Sequence, residues 1–407
     1  MPRILNWLAV ILLIASVALR NPLLFLIAIL LALVAGVTAL WGRYALAGVT
    51  YTRRLGTTRM FVGEETDLWI EVANAKPLPL AWLKANDEFP AELELAKGRL
   101  LRTHKESRRQ LVNLLSLRFY ERVRKRYRLR AKHRGALEFG PVELTSGDMF
   151  GLKTQQRVVQ DTDRLIVYPK VVPITALGLP SAHPFGDAKT TRRIAEDPLR
   201  MMGVRAYAPG DSPRLIHWKA TARRGALQTK VFDPSAARVS AIFLDMNTVP
   251  MGYWGYVPEY LEFGISVAAS VARFLFDARQ AVGLYVNGSR RNEWNLVRLP
   301  PSRRPARWFE ILDTLAWLID LPSTRIEDYV HAETSALPFG ATVVVISAAV
   351  TDALVAAMLD LKRAGHPVAL LAIGETAPAN VPDDLRMFWL GGHEAYERLA
   401  EIDLSET

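Results

Sequence analysis

Two apolar stretches at the amino terminus constrain this chain more than anything after them. Residues 4–19 are apolar apart from Asn6 and Ser16, Arg20-Asn21-Pro22 interrupts, and residues 23–40 are apolar again apart from Thr38. About 20 helical residues cross a hydrocarbon core of roughly 30 Å, so the second stretch is long enough and the first slightly short. A cleaved leader is the alternative for the first stretch. No small-x-small cleavage site follows it, and the second stretch arrives at once. The sequence therefore predicts a two-helix transmembrane hairpin over residues 1–42. Arg3 and the amino terminus lie on one side with Arg43, Arg53 and Arg54, against Arg20 in the turn. The positive-inside rule then puts both termini and the soluble domains of a two-span cell-membrane protein in the cytoplasm.

The absence of cysteine from all 407 residues removes disulfides, Cys-ligated zinc, iron–sulfur clusters and thiol catalysis. A net charge of +10 needs a cause. An anionic leaflet beside a tethered domain is one, and nucleic acid is the other common one.

Residues 50–175 read as an all-β domain, an immunoglobulin-like sandwich fitting best. Leu68, Ile70 and Val72 alternate, and a long strand is predicted over Leu117 to Ala131. Leu117, Phe119, Val123, Tyr127, Leu129 and Ala131 share one parity there, and Arg118, Arg122, Arg124, Arg126, Arg128 and Arg130 the other. That arginine ladder reads as a solvated face, as electrostatics toward an anionic lipid surface or partner, or as a nucleic-acid groove. The last fits poorly: only Tyr120 shares the basic parity, and single-strand platforms stack bases on several aromatics.

Residues 176–200 are turn-rich and read as a connector. Beyond them, apolar strands alternate with amphipathic helices. Strands are predicted over 239–244, 282–286, 341–346 and 367–373, and helices over 259–278, 304–318 and 352–363. This is the pattern of a doubly wound parallel α/β sheet over residues 201–400.

Between connector and sheet, residues 203–232 read GVRAYAPGDSPRLIHWKATARRGALQTKVF. Pro209-Gly210 marks a turn, Asp211 or Ser212 a helix N-cap, and Gly225 the helix stop near Arg224. At 100° per residue Arg214, His217 and Thr221 share a polar face, with Leu215, Trp218 and Ala222 as the apolar stripe beside it. That polar face either knits the helix to its neighbours or meets an anionic ligand or partner loop.

The spaced set Arg205, Tyr207, Gly210, Asp211, Arg214, His217, Trp218, Thr221 and Arg223 resembles the signature of the bacterial family known as domain of unknown function 58. The His133–Leu152 run and the apolar hairpin resemble that family too. The resemblance implies a von Willebrand factor A-like α/β domain and a MoxR-type AAA+ ATPase as partner. Such domains hold Mg²⁺ in an Asp-x-Ser-x-Ser loop at the carboxyl ends of the strands. Here the loop reads Asp245-Met246-Asn247-Thr248-Val249, and Ser347-Ala348 stands where a Ser-Asp or Thr-Asp is implied. Asp245, Asn247 and Ser347 thus form a degenerate metal loop, and no cofactor is expected. Hydrolase elbow, zinc-helix and phosphate-loop motifs do not occur. The expected function is a membrane-anchored, non-enzymatic adaptor or scaffold that works with the ATPase on a client complex. The alternatives are a membrane-bound hydrolase using Asp211, His217 and Arg223, or anionic-lipid or nucleic-acid binding by the arginine strand.

Overall fold

The computed structural model describes residues 2–98, 100–149, 153–175, 201–208, 216–232, 239–250, 256–291, 293–399 and 402–403. It is a mixed α/β, largely sheet-rich protein that divides into two compact units, Met1–Pro169 and Lys170–Thr407.

The first unit begins with helices Pro2–Ala18 and Pro22–Tyr44. Asn21 caps the second, its side chain accepting from Leu23 N at 2.9 Å and Leu24 N at 3.4 Å, and Pro22 opens it where a missing N–H costs nothing. With 23 residues and a mean hydropathy of 2.9, this helix is long and apolar enough to cross a membrane. It is not a core helix: Leu23, Leu26, Leu30 and Leu33 are all exposed.

Its carboxyl end is fastened to the β-strands that follow. Gln155 Nε2 donates to Arg43 O at 3.0 Å, and Lys76 Nζ to Ala45 O and Ala47 O at 2.6 and 2.7 Å. Arg157 donates to Leu46 O at 3.0 Å and to Val49 O. The last carbonyls of a helix lack intrahelical partners, and cations suit the negative end of its dipole.

One sheet of this unit runs Val49–Leu55, Glu65–Asn74, Arg122–Ala131, Leu93–Leu95. A second runs Thr154–Val159, Val142–Gly147, Leu80–Pro90, Arg108–Leu117, Leu101–Arg102, and a third, smaller one Arg59–Phe61, Arg164–Tyr168, Gly135–Glu138. Leu68, Ile70 and Leu129 from the first and Leu83, Phe89, Leu111 and Leu144 from the second enter one apolar core. An ion pair locks the sheets together. Arg53 Nη1 lies 3.0 Å from Asp87 Oδ1 with both side chains fully buried, and Tyr51 donates to Asp87 Oδ2 at 2.7 Å. Burial pushes the Asp87 carboxyl up to about 7, against the pull of Arg53 and Tyr51.

The expected strand from Leu117 to Ala131 is in fact two. Strand Arg108–Leu117 turns over residues 118–121 into Arg122–Ala131, with Tyr120 at φ 54°. Phe119 therefore sits at a turn, 63% exposed, and does not enter the core.

In the second unit the main sheet runs Leu296–Ser302, Ala281–Arg290, Val239–Leu244, Thr342–Ser347, Val368–Ala372, Arg386–Trp389. Its inner pairings are parallel, whereas Leu296–Ser302 and a further strand, Leu318–Pro322, pair antiparallel with Ala281–Arg290. The sheet is thus mixed rather than purely parallel. Pro300 and Pro301 obscure the extra strand in sequence, since proline suits only an edge position. Phe243, Val345 and Leu370 pack with Tyr329, Val330, Leu354 and Met358 from helices Ile326–Thr334 and Asp352–Arg363. Leu244 and Ile346 turn the other way, toward Gly264 of the buried helix Pro258–Asp277. The expected connector over 176–200 lies outside the described residues.

Candidate functional site at the strand ends

Three adjacent parallel strands converge on Asp245. Val239–Leu244 delivers it, Thr342–Ser347 ends in Ser347, and Ala281–Arg290 carries Asn287. Asp245 Oδ1 accepts from Asn247 N at 2.9 Å, Asn247 Nδ2 at 3.0 Å and Asn287 Nδ2 at 2.8 Å, while Oδ2 accepts from Ser347 Oγ at 2.8 Å. Asn287 is itself saturated: its Oδ1 accepts from Met246 N at 2.7 Å, and its Nδ2 also donates to Thr324 O at 3.0 Å. Ser347 Oγ accepts from Ala349 N at 3.0 Å, and Thr248 Oγ1 from Val257 N at 2.8 Å. Burial pushes the Asp245 carboxyl up to about 6, while the donors from Asn247, Ser347 and Asn287 pull it back.

Asp245, Asn247 and Ser347 are therefore brought together as the sequence suggested. The donor set does not fit the implied Mg²⁺. It offers a single carboxylate that already accepts four protein hydrogen bonds, three of them on Oδ1, and hard cations prefer several carboxylate oxygens. Among the described residues no group of three or more His, Asp or Glu side chains could surround an ion. Asn287 is the member that sequence reasoning missed. An Asn-Gly pair closing an apolar strand, as in Asn287-Gly288, was the available signal.

The signature residues divide. Gly210, Asp211 and Arg214 lie outside the described residues. Strand Met201–Ala206 pairs antiparallel with Gln228–Phe232, setting Arg205 opposite Thr229, and Tyr207 N donates to Leu227 O at 2.9 Å. The expected caps Asp211 and Ser212 lie outside the described residues. The described helix covers Trp218–Arg224, and its N-cap is His217, whose Nδ1 accepts from Ala220 N at 3.1 Å. That bond leaves the ring proton on Nε2. Thr221 Oγ1 accepts from Gln228 N at 3.0 Å, and Gly225 ends the helix at φ 67° as expected. His217 and Thr221 thus knit helix to hairpin. Trp218, expected in the apolar stripe, is 68% exposed because the shorter helix buries no residue, and Arg223 is exposed.

In the first unit the arginine ladder faces an acidic one on strand Glu65–Asn74. Arg122 and Arg124 reach Glu71 at 3.1 and 2.6 Å, Arg126 grips Asp67 with two bonds of 2.9 and 2.6 Å, and Arg128 lies 3.7 Å from Glu65. The hydrogen bonds from Arg126 and Arg124 hold the Asp67 and Glu71 carboxyls below their ordinary range.

Residues 203–388 match the family described as protein of unknown function DUF58. The matched stretch is a little under half of the chain. The DUF58 segment takes in the hairpin, the His217-capped helix and the Asp245 network. The chain is also 25% identical over 260 residues to "Uncharacterized protein YeaD" of Bacillus subtilis (strain 168), covering 64% of this chain and 60% of that relative's length. Among solved structures, a non-cellulosomal cohesin from Archaeoglobus fulgidus is similar at 12% identity and a TM-score of 0.21, over 30% of this chain and 91% of that one. The sporulation control protein Spo0M of Bacillus subtilis is similar at 13% identity and a TM-score of 0.18, over 30% and 49%. Scores this low carry no argument about fold or function.

Proposed function

We propose that this protein is a membrane-anchored, non-enzymatic adaptor, a scaffold working with a MoxR-type AAA+ ATPase in assembling or remodelling a client complex. The observation that carries the non-enzymatic reading is the Asp245 carboxylate, engaged by four internal hydrogen bonds. At the strand ends, where open α/β sheets place their ligands, Asp245 is committed to these four bonds. Oδ1 has no lone pair left for a general base or ligand to use, and Oδ2, which accepts one bond, is held against Ser347.

The anchor reading draws on the exposed apolar helix Pro22–Tyr44, with Pro2–Ala18 packed beside it as a second, shorter span. Arg43 and Arg54, both exposed just after the hairpin, favour cytoplasmic placement of both units. The ATPase partner follows from the resemblance of the signature, and the likeness of the α/β unit to a von Willebrand factor A domain is part of the same proposal. The hydrolase alternative is weakened because the Nδ1 of His217 is committed to a helix cap.

The test is crosslinking of the full-length protein in its native membrane, with captured proteins identified by mass spectrometry. An AAA+ ATPase is expected, with less captured by Arg214→Ala and His217→Ala chains. Capture of no ATPase, together with indifference to both substitutions, overturns the proposal.

A further inference from the structure

Among the described residues, several that hold the base of the apolar helix gather at one end of the β unit. The Lys76 ammonium that holds Ala45 and Ala47 belongs to the connection 75–79, and the main-chain carbonyl of Lys76 accepts from Tyr120 N at 3.3 Å. Asn74 Nδ2 ties the same connection to the next turn, donating to Leu78 O and Arg118 O at 2.9 Å each. Trp41 Nε1, on the helix, donates to Pro79 O at 3.0 Å. On the other side Lys153 lies so close to Gly42 that a β-carbon there would sit 2.6 Å from its own. Lys153 N in turn donates to Asp148 Oδ1 at 2.6 Å, beside Met149.

Two loop tips at this end expose large apolar side chains: Phe119 and Tyr120 at 63% and 67%, and Met149 at 63%. Tyr120 holds φ 54°, a left-handed conformation costly for any residue but glycine. Exposed cations stand near them: Arg118 on the same turn and Arg43, whose guanidinium lies 5.8 Å over the Tyr44 ring. An aromatic and aliphatic tip fringed by arginine, placed where an apolar helix ends, has the composition of a membrane–water interface anchor.

We infer that the turns carrying Phe119, Tyr120 and Met149 insert into the headgroup region of the bilayer that the Pro22–Tyr44 helix spans. The inference rests on the anchor reading above. The occupant is the lipid surface and not a protein, because the hydrogen bonds from Lys76, Asn74 and Trp41 fix these turns beside the end of the span. Wherever the helix leaves the hydrocarbon, the turns are at headgroup level. The β unit then stands on the membrane at three points, the helix and the two turns, and cannot tumble on a tether.

Because the natural chain has no cysteine, single labels can be placed directly in the full-length protein. Phe119→Cys, Met149→Cys, Leu30→Cys and His104→Cys chains, each carrying a nitrobenzoxadiazole label, are reconstituted in phosphatidylcholine–phosphatidylglycerol vesicles. Nitroxide lipids spin-labelled at the headgroup or deep in the acyl chain serve as quenchers. Labels at 119 and 149 are expected to emit to the blue of the label at 104, at the far end of the unit, and to lose most intensity to the headgroup nitroxide. The label at 30 should lose most to the deep nitroxide. If 119 and 149 behave like 104 while 30 is quenched, the inference is wrong and the anchor stands. If 30 is not quenched, the anchor reading itself fails.

Discussion

Asp245 offers the sharpest test of how the α/β unit is held together. Replacing it with alanine removes the acceptor of four donors, Asn247 N, Asn247 Nδ2, Asn287 Nδ2 and Ser347 Oγ. A buried donor left without a partner costs roughly 1–3 kcal/mol, and these share one acceptor, so a loss of about 3–5 kcal/mol is expected rather than the full sum. Asparagine keeps the shape and most of the acceptor capacity while deleting the charge, so its effect shows in the pH dependence. The folded Asp245 carboxyl titrates at about 6, above the value of about 3.9 for an unfolded aspartate. The folded state therefore binds the proton more tightly. Its contribution is fully present below pH 4 and is lost as pH rises to about 6, by about 3 kcal/mol in total. Asp245→Asn should flatten that slope between pH 4 and 6. The assay equilibrates full-length protein in detergent across urea concentrations at each pH. A hydrogen-exchange pulse at one common pH then reads peptides covering 239–247 and 342–348. The reasoning is refuted if Asp245→Asn keeps the wild-type slope, or if Asp245→Ala costs less than about 1 kcal/mol.

Arg53→Met should cost about 3–5 kcal/mol in the β unit at neutral pH, measured by the same pulse on 80–90, because it strands Asp87 in an apolar core. An apolar pair, Arg53→Met with Asp87→Leu, should recover much of that loss. His217→Ala should remove about 1 kcal/mol of capping and speed exchange across 218–224, and His217→Asn, which still offers an acceptor, should restore protection. Asp67→Asn with Glu71→Gln frees arginines now engaged by those acids. Oligonucleotide binding measured by anisotropy should then gain a steeper dependence of log K on log salt, by about one unit per freed arginine. An unchanged slope would mean that the acids are not what masks the ladder.

Periodicity made the inner sheet legible, because strands buried on both faces read as unbroken apolar runs; the strand ending at Leu244 and the helix Asp352–Arg363 fall where the pattern put them. What the pattern missed was decided by partners distant in sequence. Phe119 shared the parity of Leu117 and Val123, and only the turn at 118–121 takes it out of the strand. Pro300 and Pro301 argued against a strand that an edge position tolerates. Asp211, the cap that composition offered, lies outside the described residues, and the described helix is capped by His217, whose main-chain N–H also bonds to Gln228 O at 2.8 Å. At the strand ends the gap left by Val249 and Ala348 was visible from composition. That Asn287 and Ser347 close around Asp245 required the three strands to be side by side.

The clasp formed by Gln155, Lys76 and Arg157 on carbonyls 43–49 has a consequence for how such a chain can vary. One residue added between Tyr44 and Val49 would shift Arg43 O relative to the carbonyls that follow by up to one residue's reach, roughly 3.3–3.6 Å. A loose linker absorbs such a change unnoticed, but here the carbonyls before and after the added residue could not all keep their donors. Length in this short stretch should therefore be far less negotiable than side-chain identity. Chimeras that exchange the apolar hairpin should keep their β unit folded only when the junction preserves the residue count.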